Sequence, residues 1–73
     1  MAVDLEFLYE IGDMVRFILT KDSNKVLTGF ISERWTTKTQ DKKYPTIKLY
    51  KILCLDKNLA AFTLIEELIV EKT

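Results

Sequence analysis

Histidine is missing from this chain, cysteine and proline occur once each (Cys54, Pro45), and glycine occurs only twice (Gly12, Gly29). Each shortage excludes something. A structural zinc site takes several Cys or His ligands at defined spacing, and the sequence holds no such set. A lone cysteine forms no intrachain disulfide, which suits a reducing compartment. The glycines stand 17 positions apart, so no glycine-rich loop is available to cradle a phosphate. Without histidine, acid–base work would fall to carboxylates, Lys, Tyr or Cys. No stretch approaches the roughly 18 apolar residues of a membrane span. The first ten residues, MAVDLEFLYE, mix acids with apolar residues and lack the basic start of a secretory signal. The expectation is a cytoplasmic protein with no metal, no cofactor, no membrane contact and no evident small-molecule ligand.

What is present points to one small domain. The 73 residues are 48% hydrophobic, too apolar for a disordered chain and close to the lower size limit for a self-sufficient core. Residues 1–73 read as a single unit in which 1–10 form an acidic N-terminal extension. A domain this small struggles to hide so much apolar surface, so a protein partner or a homodimer is expected. Net charge is zero, which argues against a general affinity for nucleic acid. The charges are unevenly placed, however. Residues 1–13 hold four acids (Asp4, Glu6, Glu10, Asp13) and no base, while 33–51 hold six bases against Glu33 and Asp41. That basic segment keeps a nucleic-acid partner open.

Along the chain, Gly12-Asp13 is a turn signal. Val15, Phe17 and Leu19 then alternate with polar neighbours, predicting a strand over 13–20. KDSNK, 21–25, is a polar turn. VLTGFISERW, 26–35, predicts a second strand, with Gly29 marking a bulge or bend. TTKTQDKKYP, 36–45, reads as a loop or hairpin tip, and 46–55 as a third strand. The parity of that third strand is broken by Lys51, so a bulge or strong bend near Tyr50 is expected, with Ile47 and Leu49 facing the core. After the turn DKN, residues 59–72 are ambiguous. Leu59, Phe62, Ile65 and Ile69 have helical spacing. The alternative is strand, helical turn, strand over 60–64 and 68–72, which is preferred. The expected core is Val15, Phe17, Ile31, Ile47, Leu49, Phe62 and Leu68.

Two motifs carry a resemblance. IGDMVRF followed by TGFI is similar to the Gly-Asp-x-Val … Gly-x-Ile opening of SH3-like small barrels of the Tudor and KOW type. AFTLIEELIV is similar to their closing strand, helical turn and strand. The same motifs resemble PsaE-type electron-transport accessory proteins. The resemblance implies an all-β fold: a five-stranded SH3-like small barrel with a short helical turn before the last strand. Stand-alone barrels of this type include bacterial and phage accessory proteins. The fold hosts many functions, and no functional residue is carried over.

The chemistry-bearing residues favour binding over catalysis. Glu66-Glu67, the only adjacent acid pair, reads as a solvated turn. Cys54, within apolar ILCL, reads as a small buried hydrophobe with no base to activate it. Phe30, Trp35, Tyr44 and Tyr50 interleave with Arg34, Lys43, Lys48 and Lys51, a pattern that suits a peptide groove or base stacking. The expected contact residues are Trp35, Tyr44, Tyr50, Phe30, Arg34, Lys43 and Lys48. The leading expectation is a non-catalytic binding module, a small accessory or inhibitory protein docking a larger protein. The alternative is a KOW- or Tudor-like nucleic-acid binder using the basic 34–51 region. A third reading, after PsaE, is a subunit of an electron-transfer complex.

Overall fold

Gly12 adopts φ +95°, a region that costs any residue with a Cβ. The Asp13 amide donates to the Glu10 carbonyl (3.0 Å), and the Glu10 amide donates to Asp13 Oδ2 (2.9 Å). Those two bonds close the turn that feeds the sheet. The computed structural model describes residues 6–43 and 45–73. Five strands follow in order: β1 Met14–Phe17, β2 Leu27–Lys38, β3 Thr46–Cys54, β4 Ala60–Ile65 and β5 Ile69–Lys72. A 3-10 turn, Leu55–Lys57, precedes β4, and another, Glu66–Leu68, precedes β5. Asn58 and Leu59 take left-handed angles (φ 53° and 62°) and reverse the chain between β3 and β4.

The strands form one antiparallel sheet in the order β4-β3-β2-β1-β5. The fold is therefore all-β, a five-stranded SH3-like small barrel with a helical turn before its last strand. Residues 59–72 form strand, turn and strand, and the helical alternative is ruled out. Leu59, which gave the helical spacing its first position, is 51% exposed.

Long β2 joins the two halves of the sheet. Its first residues pair with β1 (Leu27 opposite Phe17, Phe30 opposite Met14), and Gly29 to Lys38 pair with β3. The register shifts between Ile31 and Glu33, leaving Ser32 as the extra residue of a bulge. A bulge bends a strand and reverses which face its later side chains occupy. Before the bulge Leu27 and Ile31 point into the core; after it, Arg34 stands opposite Tyr50 and shares the core face.

Several expectations are corrected by this register. The bulge lies at Ser32, not at Gly29, and the register of β3 runs unbroken through Tyr50. Gly29 is needed for close approach instead: a Cβ there would lie 2.5 Å from the Leu53 carbonyl oxygen. The core face of β3 is Tyr50, Ile52 and Cys54, all 0% exposed. Ile47 and Leu49 thus sit on the opposite face, half-buried. Val15, Phe17 and Ile31 are core as expected, and Phe62 and Leu68 pack partly buried against it. Leu27, Tyr50, Ile52, Cys54, Leu64 and Ile69 complete it. The first strand ends at Phe17, so Leu19 lies in a loop, and β2 runs on through Lys38 into the expected loop.

Two substitutions test this packing. Phe17→Ala should cost about 3–5 kcal/mol, the usual figure for a buried phenylalanine, and leave a domain this small largely unfolded. Gly29→Ala should lower the melting temperature markedly, because rigid backbone blocks the added methyl. Thermal melts followed by circular dichroism check both; a melt within a degree or two of the parent would contradict the assignment.

Candidate functional site

Residues paired across the β2–β3 hairpin share a face, so the register sorts the expected contact residues into two groups. On the face turned away from the core lie Phe30, opposite Leu53, and Trp35, opposite Leu49. Met14 of β1 joins the first row, and Ile65 of β4 joins the second. Between the two apolar rows, Lys51 Nζ meets Glu33 Oε2 at 3.4 Å. Trp35 remains 38% exposed, whereas Phe30, Leu49, Leu53 and Ile65 are half-buried. Among the described residues, β2 has no strand neighbour on its β1 side beyond the bulge.

The second group faces inward. Tyr50 was expected on an exposed contact face, and the structure corrects this. Its ring is fully buried and meets Phe7 and Tyr9 edge-on at centroid distances of 5.7 and 5.8 Å. Its hydroxyl donates to Glu66 Oε2. Arg34 and Lys48 were expected to border a basic surface, but both are engaged inside the fold. Arg34 Nη1 donates to the Tyr9 carbonyl at 2.7 Å, and its guanidinium lies 4.8 Å from the Phe7 ring centroid. Lys48 Nζ pairs with Glu66 Oε1 at 3.3 Å and donates to the Glu6 carbonyl.

Glu66 is therefore not the solvated turn residue that its sequence position suggested. Burial works to raise its pKa, but hydrogen bonds from Tyr50, the Leu8 amide and Lys48 outweigh burial and hold it below the ordinary 4.5. The Tyr50 phenol is pushed far above its usual range, first by burial and then by the bond to Glu66.

Lys43 is exposed in the hairpin connection, where its amide donates to Asp41 Oδ1 at 2.8 Å. Tyr44 lies outside the described residues. Arg34, Lys48 and Lys51 all have partners within the chain, so the basic segment presents fewer unpaired cations than its composition suggested. Ile47, Lys48, Ile65, Glu66 and Glu67 line a shallow depression of about 180 Å³. Among the described residues, no group of three or more His, Cys, Asp or Glu could hold a metal ion, and no helix is long and apolar enough to cross a membrane.

The sequence reading missed Leu49, Ile65 and Met14 on the outer face, and Phe7, Tyr9 and Glu66 on the inner one. The available signal was two aromatic residues, Phe7 and Tyr9, close together in an otherwise acidic segment. No protein-family model, curated protein or solved structure matched the chain. The likeness to PsaE-type proteins accordingly rests on short motifs and strand order, and carries no function by itself.

The inner cluster gives a pH dependence with a definite sign. A carboxylate whose folded pKa is depressed adds stability above its unfolded pKa and loses it as pH falls through the folded one. The parent should therefore lose stability as pH drops below about 4.5, and Glu66→Gln should flatten that decline. Tyr50→Phe should cost about 1.5 kcal/mol, the low end for a hydrogen bond to a charged group, because Lys48 and the Leu8 amide still hold Glu66. Urea denaturation at pH 7 and pH 3.5 measures both.

Proposed function

We propose that this chain is a non-catalytic binding module that docks a protein partner through the outer face of β2, β3 and β4. One observation supports the reading above others: two apolar cross-strand rows, with Trp35 half-exposed, lie on the sheet face that the core does not use. Large, semi-exposed aromatic residues dominate binding energy when they meet a partner pocket. The Glu33–Lys51 pair between the rows is neutral as a unit, so this face asks for shape and apolar complementarity more than for charge.

The nucleic-acid reading has less support. Phosphate binding draws on several unpaired cations along one track, and Arg34, Lys48 and Lys51 are bound to groups of the chain itself. Lys38 and Lys42, near the hairpin tip, are the remaining sources of such contacts.

Trp35→Ala should leave the melt unchanged within a few degrees and weaken partner binding by about 1–3 kcal/mol. Lys42→Gln with Lys43→Gln should change that binding little, since rim charges act mainly on association rate. Affinity capture from native extract, with and without nuclease, followed by titration of the captured protein at two salt concentrations, checks this. Binding that vanishes with nuclease and falls steeply with salt would replace the protein-docking reading with the nucleic-acid one.

A further inference from the structure

Residues 6–10 cross the inner side of the β2–β3 hairpin with alternating exposure, and the chain bends at Leu8 and Tyr9. Phe7 and Tyr9 are half-buried, while Glu6, Leu8 and Glu10 are exposed, with Leu8 at 72%. The segment is a bent run whose alternate side chains enter the fold. Its rings go inward against Tyr50, and Phe7 also lies beneath the Arg34 guanidinium.

The polar anchors all grip main-chain atoms. Arg34 donates to the Tyr9 carbonyl (2.7 Å), Lys48 donates to the Glu6 carbonyl, and Glu66 accepts the Leu8 amide (3.3 Å). None of these contacts reads the side chain of Glu6, Leu8 or Glu10. Among the described residues, no backbone-to-backbone hydrogen bond ties residues 6–9 to any strand. The segment is therefore held by side chains reaching up from β2, β3 and the second 3-10 turn and by the packing of Phe7 and Tyr9 on the core, with no strand pairing to break when it leaves. Main-chain anchoring combined with pockets for alternate side chains is how protein surfaces recognise extended peptides.

We propose that Arg34, Lys48, Tyr50 and Glu66 form a receptor for a short, acid-flanked segment with aromatic residues two apart, and that the chain's own residues 6–10 occupy it in cis. A partner protein carrying such a segment binds by displacing them. The aromatic spacing is set by the two ring positions on Tyr50. The flanking acids are favoured because Arg34 and Lys48 bring two cations to the site against one carboxylate, Glu66. The turn at Glu10–Asp13, with Gly12 in its left-handed conformation, is where the displaced segment swings away. This receptor lies on the opposite face of the hairpin from Trp35, and does not depend on the docking role proposed for that face.

The test uses the full chain with Phe7→Ala and Tyr9→Ala together, which vacates both ring positions and leaves the receptor residues in place. The probe is a fluorescein-labelled, amidated five-residue peptide with the sequence of residues 6–10, read by anisotropy. A segment tethered by so short a link competes at an effective concentration on the order of mM. The double variant should therefore bind the peptide at least about tenfold more tightly than the parent. A control peptide with alanine at both aromatic positions should not bind, and adding Trp35→Ala should change nothing. A folded double variant that takes up no peptide at millimolar concentration, or binds it no better than the parent does, overturns the proposal. Should the double variant show no cooperative melt, the parent is titrated with unlabelled peptide to several millimolar under NMR. Movement of the Leu8 and Tyr9 amides toward random-coil shifts is then the expected result, and unmoved amides overturn the proposal.

Discussion

One inserted residue governs how this molecule presents itself. Ser32 has no counterpart on β3, and the shift it imposes lets β2 serve both halves of the sheet. Upstream of it, odd-numbered side chains fill the core between β1 and β3. Downstream, Trp35 is turned outward and Arg34 inward. Were Ser32 paired in regular register instead, the faces would exchange. A tryptophan would be driven toward Tyr50, and a guanidinium would be left over the outer apolar rows. The division of the hairpin into an apolar outer face and a polar, aromatic inner one depends on that single local distortion.

Inside, the constraint passes to Tyr50. A buried phenol needs a partner for its hydroxyl, and Glu66 supplies it from the 3-10 turn that links β4 to β5. The carboxylate so placed needs compensation of its own, which Lys48 and the Leu8 amide provide. Core packing, turn position and the seating of residues 6–10 are thereby coupled through one carboxylate. Networks of this kind rigidify when complete and are costly when one member is lost. Among the described residues that are not exposed, no buried side-chain nitrogen or oxygen lacks a partner.

The strand order and the closing turn were legible because turn chemistry and period-two patterning are local: Gly12-Asp13, DKN and the alternation of Val15 and Phe17 each declare themselves within a few residues. The face assignment of β3 was not legible. TIKLYKILC has apolar residues on both parities, and only the pairing with a bulged β2 decides that Tyr50, Ile52 and Cys54 go inward. The sequence showed the irregular parity but placed its cause on the wrong strand. The contact residues suffered for the same reason: Trp35 and Phe30 share the outer face, while Arg34, Lys48 and Tyr50 do not join them. Glu66 escaped because the Tyr50 hydroxyl that binds it comes from 16 positions away, and no sequence window announces such a bond.

Cys54 ends β3 opposite Gly29, fully buried, with its thiol free. The missing side chain of Gly29 is what lets the two strands close over it. Sulfur reacts as the exposed thiolate, so oxidants and alkylating reagents reach this atom only when β2 and β3 part. The rate at which the chain's single sulfhydryl is oxidised is thus limited by the opening of the strands around it as well as by the oxidant present. The rate at which that thiol is labelled becomes a direct clock for the opening of the barrel.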